Sequence, residues 1–394
     1  MKSATHALRL LPLLLAFQRA RPRDGLLIAL AFAVGAATLA ILLSVPAGLE
    51  RLAGRTGIER IVLVMGAAAA SEADSELGPA QIGLVGSLPQ VARAADGSPL
   101  LAPQFIASTR VADAAGTLST VQLRGFSQAL ARLLAGSGVD HGDAVPAPGS
   151  QALVAGAEVA ARLGLSVGST LPLRGRDWHV MAQLDAGGSL WESELWIEQA
   201  ALQAAFGAPG RHSVAWVRLA PDADFADFAR ALAADPRLDG LRAIEQTRYY
   251  RSQLGFVAGL ARTAAWGVSL LLGAGAAIAI ANALGVVLAA RRSDMAALRA
   301  MGFRDAGVAL ANVLEVLLVG LLAAAACLSL AWWLLDGMGF ATSAGAQGVH
   351  AALAVTPAVM ASVLAYTLVL GLVGSAWPVM GLVRGHPIES LRGD

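Results

Sequence analysis

The residues whose types and spacing could do chemistry are few. His141 lies beside Asp140 and Asp143, a set of potential metal donors within one short stretch. Metal centres gather more converging donors than this, so the stretch reads as a solvated loop and no metal site is expected. Asp185, Glu192 and Glu194 flank Gly187 and Gly188 and read as exposed turn charge. Trp178, Trp191, Trp196 and Trp216 offer flat faces to a ligand, yet burying aromatic area in a core is what such residues ordinarily do. Ser, His and Asp are present without an arrangement for nucleophilic catalysis. Cys327 is the single cysteine, so a disulfide within the chain is excluded. The only lysine is Lys2, and a phosphate-binding loop of the G-x-x-x-x-G-K-[ST] type therefore has no lysine to use. The expectation is a non-catalytic chain that binds no cofactor of its own.

The elements that carry these residues are set by composition. Of 394 residues 56% are hydrophobic and 14% charged, with a formal net charge of +1. Soluble domains carry about a quarter charged residues, so the chain belongs to the membrane class, and its near-neutral balance gives no footing for a nucleic-acid partner. A helix needs about 20 apolar residues to cross a bilayer. Four stretches qualify: 25–49, which reads GLLIALAFAVGAATLAILLSVPAGL, then the uncharged run 263–290, which with a helical stalk before it makes up 254–290, and 306–335 and 351–383. The first is too long for the apolar region of a signal peptide and lacks a good cleavage site, so it reads as an uncleaved anchor. Residues 1–24 include an apolar stretch, Ala7 to Phe17, too short to span, and read as an amphipathic segment on the inner face, in contact with membrane lipid.

Arginines sort the short loops. They precede the first span, fill 291–305 and follow the last span (384–394), whereas 336–350 has none. The positive-inside rule then places both termini and 291–305 in the cytoplasm, with 50–253 and the turn 336–350 outside. Between the first two spans, β-like runs such as IVLVMG after Arg60 and VAWVRLA after Ser213 alternate with helix-like segments such as Asp222 to Asp235. This is the pattern of an α+β domain. Its middle, 126–212, is richer in strands and glycine turns and reads as a subdomain inserted into a unit built from both flanks. The fold class expected is an integral membrane protein with four transmembrane helices and a large extracytoplasmic α+β domain between helices 1 and 2.

The cytoplasmic stretch RRSDMAALRAMG, 291–302, has its own pattern. Met295, Leu298 and Met301 fall on one side of a short helix, while Arg292, Asp294 and Arg299 lie elsewhere, and Gly302 stands where a helix would end. This forms a small apolar knob, either interfacial or a docking element. Here the sequence resembles the FtsX-like, MacB-type ABC permeases, which carry R-x-R-E-I-A-x-L-R-A-x-G after the second helix and a glutamate in the third. The counterparts are Arg291, Arg292, Asp294, Met295, Ala296, Leu298, Arg299, Ala300 and Gly302, then Glu315. Asp294 replaces the usual glutamate and Met295 the usual isoleucine or leucine. Pro387-IESLR resembles the family's closing P-x-E-A-L-R, and VQLRGF (121–126) and ALVAGAEVAARLGLSVGSTLPL (152–173) resemble its periplasmic segments.

The resemblance implies a multi-pass permease subunit of the bacterial inner membrane, without its own ATPase. The 291–302 helix would dock on a separate ABC ATPase subunit that binds the ATP. Met295, Leu298 and Met301 would fill its groove, with Arg292 and Arg299 at the rim. Two copies of the chain would pair as a homodimer. ATP-driven motion would pass through the helices to the periplasmic domain, a coupling termed mechanotransmission, to export a compound, peptide or lipid. A periplasmic adaptor and an outer-membrane channel are further partners the resemblance implies. Relatives that extract lipoproteins, or that act as signalling scaffolds for a cell-wall hydrolase, are the alternatives. Within the spans only Asn282, Asn312 and Glu315 are conspicuously polar. Glu315 reads as a helix–helix contact, or a partner of Arg292 or Arg304, rather than a substrate ligand.

Overall fold

The computed structural model describes residues 22–112, 116–142, 145–290, 305–344 and 347–384. Four helices among them are long and apolar enough to cross a membrane. They are α1 (Pro22–Arg55), α7 (Gln246–Ala290), α8 (Asp305–Leu335) and α9 (Pro357–Arg384). The chain divides into a helical unit (1–48, 258–338 and 353–394) and an α+β unit (49–257 and 339–352).

In the helical unit, glycines admit one large side chain. The Phe32 ring of α1 is buried against Gly320 of α8 and Gly371 of α9. A Cβ at Gly320 would come within 2.8 Å of that ring, and one at Gly371 within 3.1 Å. Small residues thus bring helices together where the hydrophobic effect offers no preference between lipid and protein. Tyr366 of α9 donates to the Ser269 carbonyl of α7 at 2.8 Å and fixes a further pair.

The α+β unit holds two sheets. A four-stranded antiparallel sheet has the order β10-β1-β9-β2, where β1 is Ile61–Gly66, β2 Leu101–Gln104, β9 Val214–Arg218 and β10 Leu241–Glu245. A six-stranded mixed sheet has the order β3-β4-β8-β5-β7-β6. Its strands are β3 (Ile106–Ala112), β4 (Leu118–Phe126), β5 (Ala152–Gly156), β6 (Thr170–Leu173), β7 (Arg176–Leu184) and β8 (Glu194–Glu198). Short helices cover one face of each. On the four-stranded sheet, Val85 of α2 (Pro79–Ser87) and Phe228 and Leu232 of α6 (Phe225–Ala234) pack with Val62, Val64, Ala215 and Val217. On the six-stranded sheet, Val159 of α4 (Ala157–Leu163) and Leu202 of α5 (Gln199–Ala205) pack with Leu123, Leu153, Leu195 and Ile197. Helix α3 (Gln128–Leu134) completes the set, its first turn capped by the Ser127 side chain.

The six-stranded sheet begins at Ile106, before the 126–212 segment expected as an insertion, because β4 lies between β3 and β8 and pairs parallel with β8. Local residue pattern does not reveal a partner some 70 positions away. The ends of this excursion are clipped together: Ser213 N donates to Gln104 O at 2.7 Å and Ile106 N to Ser213 Oγ at 3.0 Å. The stretch 336–350, expected as a turn, contains a hairpin of β11 (Gly339–Ala344) and β12 (Gln347–Ala352). This hairpin packs in the α+β unit, against β4 and the turn Leu190–Ser193.

Candidate functional site

Residues 291–302, including Arg291, Arg292, Asp294, Met295, Leu298, Arg299, Met301 and Gly302, lie outside the described residues. Glu315 is described: it is buried in α8, one turn from buried Asn312, within the helical unit. A carboxylate at such a depth is held by its surroundings.

Strand alternation builds the most polar buried site among the described residues. In β4, Val121 and Leu123 enter the helix-covered core, so Gln122 and Arg124 point to the opposite face. In β8, Leu195 and Ile197 enter that core, and Glu194 and Trp196 lie opposite. The register sets Gln122 beside Glu194 and Arg124 beside Trp196. The four-stranded sheet does the same: Ala215 and Val217 enter its helix-covered core, leaving Trp216 on the other face, where it pairs with Ala102 of β2. Both polar faces are closed to water.

Arg124 is the hub. It is fully buried, and its guanidinium makes a two-pronged contact with Glu194: Nε to Oε2 at 2.6 Å and Nη2 to Oε1 at 2.9 Å. Nη2 also reaches Glu72 Oε2 at 3.0 Å, and Nη1 donates to Gln104 Oε1 at 2.7 Å. The Trp216 ring lies under the cation, 5.0 Å from its central carbon to the ring centroid, a favourable position for a positive charge. Further donors complete the carboxylates. Gln122 and Trp196 donate to Glu194 at 2.8 and 3.0 Å, and Trp216 and Tyr250 donate to Glu72 at 3.2 and 3.3 Å. One cation thus meets two carboxylates with their lone pairs largely occupied. Loss of hydration disfavours the charge on Arg124, but Glu194 and Glu72 outweigh it and hold the guanidinium's pKa well above its usual value. For Glu194 loss of hydration wins, and its pKa is raised despite Arg124.

The root of α7 enters this network. Tyr249 Oη accepts from Glu72 N at 2.9 Å, while Tyr250 donates to Glu72 and receives Trp191 Nε1 at 3.3 Å. The rings of Trp191, Trp196, Trp216 and Tyr250 pack edge-on or tilted, with centroids 5.5–6.4 Å apart. Helix α7 therefore starts in the same buried cluster that joins the two sheets.

Glu194 is not the exposed turn charge expected from its neighbours. Asp185 and Glu192 do serve the turn, accepting from Gly187 N and Gly188 N, but Glu194 is one residue into a strand and pairs with Arg124. The four tryptophans are core residues, each buried. His141 lies edge-on to Phe126, and Asp140 accepts from Gly142 N; Asp143 is outside the described residues. Among the described residues no group of three or more His, Cys, Asp or Glu could hold a metal. A G-x-S-x-G string occurs at Gly164–Gly168. It follows helix α4 and precedes β6, the reverse of the strand–turn–helix order that a hydrolase nucleophile needs. Arg124 itself carries no local signal beyond the alternation of β4.

Fold and site together define a multi-pass membrane protein with an α+β domain between its first two spans. Residues 266–387 match the family described as FtsX-like permease C-terminal. No curated protein matches the chain. The crystal structure of the periplasmic region of MacB from Actinobacillus actinomycetemcomitans is similar at 12% identity and a TM-score of 0.36, covering 50% of this chain and 94% of that one. Residues 266–387, which take in part of α7 and all of α8 and α9, are thus similar to the C-terminal part of FtsX-like permeases.

Proposed function

We propose that the chain is the permease of a MacB-type system in which a separate ATPase drives movement of the periplasmic α+β domain. The family match carries this reading, because it runs from within α7 through 291–302 to the end of α9. In the proposal, the apolar knob of Met295, Leu298 and Met301 docks on the ATPase, with Arg291, Arg292, Asp294 and Arg299 around it and Gly302 ending the helix. The permease works as a homodimer. Motion passes along α7, whose 45 residues make it about 68 Å long at 1.5 Å per residue. A bilayer core occupies only about 30 Å of such a helix. The buried origin of α7 at Tyr249 and Tyr250 supports this role, since a lever needs a firm attachment. Glu315 sets helix packing. The cargo is a compound, peptide or lipid handed to an adaptor and an outer-membrane channel.

The test replaces Leu298 or Met301 with aspartate in the full chain. Each variant is expected to insert and fold yet to lose most co-purification with the ATPase. Retained co-purification in both would sink the docking assignment.

A further inference from the structure

Beside the root of α7 is a cavity of about 310 Å³, open to the surface and lined by Ala70, Arg242, Tyr249, Gln253, Phe256 and Val257 among others. It lies wholly within the α+β unit. Its polar wall includes Arg242, Tyr249 and Gln253. Arg242, on edge strand β10, spends Nη2 on the Ala69 carbonyl at 2.8 Å and the Met65 sulfur at 3.8 Å. Its Nε is enclosed by protein, out of a ligand's reach, and no carboxylate among the described residues pairs with the guanidinium. Tyr249 Oη accepts from Glu72 N and lies 3.0 Å from Gln253 Nε2. The same Nε2 donates to the Ala70 carbonyl at 3.0 Å, which settles which end of the amide faces Tyr249. The Tyr249 hydroxyl proton therefore has no acceptor among the described residues. A guanidinium charge with no carboxylate beside it and a phenol with a proton to give make a site for an anion.

The remaining wall is apolar. Phe256 is 78% exposed at the mouth and precedes the uncharged run that begins at Thr263. An aromatic ring left this open beside an unmatched cation suits a ligand with a charged head and a greasy tail. The volume is at the small end of ligand pockets, which run from about 300 to 1,000 Å³, and takes a head with the start of one chain.

We propose that this cavity binds a single-chain anionic amphiphile, its head on Arg242 and Tyr249 and its alkyl chain over Phe256. Tyr249 is also part of the Arg124 network, so an occupied cavity bears directly on the joint between α7 and the two sheets.

The experiment uses the full chain in a non-ionic detergent, titrated with palmitate and followed by native mass spectrometry. One palmitate per chain is expected to bind saturably, whereas hexadecanol, with the same chain and no charge, does not saturate. Arg242→Gln is expected to weaken palmitate binding at least ten-fold. Phe256→Ser, at an exposed position that the fold does not need, is expected to weaken it several-fold. Equal binding of palmitate and hexadecanol would overturn the proposal. So would palmitate affinity within two-fold of the parent in Phe256→Ser, or in an Arg242→Gln chain whose melting temperature matches the parent. No ATPase is present in the assay, so its outcome is independent of the transport reading.

Discussion

Arg124 is where a single side chain decides most. Removing its charge leaves Glu72 and Glu194 buried without their cation, and breaking a buried ion pair from one side costs about 3–5 kcal/mol. Arg124→Met is therefore expected to destabilise the α+β unit by that amount, measured by denaturant unfolding of the full chain followed through tryptophan fluorescence. Arg124→Lys should recover only part of the loss, because an ammonium cannot make the two-pronged contact with Glu194. Glu194 adds a pH dependence. Its folded pKa is raised above the ordinary 4.5 by loss of hydration. The folded state then holds a proton that the unfolded state has released, so stability from this group is full below about 4.5 and is lost as pH rises through the folded pKa. Melts of the full chain between pH 4.5 and 7 should show a decline that Glu194→Gln flattens. An unchanged slope in the variant would place the titration elsewhere. None of this was legible in the residues alone. The alternation of β4 and β8 shows that each strand has two unlike faces, but not that the polar face meets a second sheet instead of water.

At the scale of elements, the apolar runs were readable because membrane crossing demands length and leaves little room for charge. The β11–β12 hairpin was hidden, since short Gly- and Ala-rich strands lack the β-branched bias that marks a strand. Its docking includes His350 of β12, whose Nδ1 lies 3.7 Å from Glu158 Oε1 of α4. Burial lowers the His350 pKa, Glu158 opposes that shift, and Arg162 of α4 adds to it. A lowered histidine pKa means the folded state resists the proton. Its stabilising contribution is present above about 6.5 and is lost as pH falls through the folded value. Amide hydrogen exchange in 347–352 should accelerate on acidification below pH 6.5, after correction for intrinsic rates. In His350→Gln that acceleration should be absent, and its persistence would assign the effect to another group.

Across the whole molecule, alternating strands and helices between the first two spans announced an α+β domain. Which strands share a sheet was not legible, because β3 and β4 resemble any other strands until their partner β8 is known; the six-stranded sheet forms an insertion in the four-stranded one. That insertion leaves the four-stranded frame at Gln104 and returns at Ser213, where the two backbones hydrogen-bond directly. Such a junction makes residues 106–212 a cassette that recombination could exchange without breaking a strand of the frame. The exchange has one electrostatic condition: the incoming piece must bring a cation to Glu72. Excising the cassette with a short Gly-Ser bridge should accordingly give a protease-sensitive chain, and adding Glu72→Gln should restore resistance to limited proteolysis. Equal sensitivity of the two chains would show that the frame depends on its insert for more than charge. Descendants of one such chain could thus acquire new outer modules at a single seam, with the residue opposite Glu72 as the password.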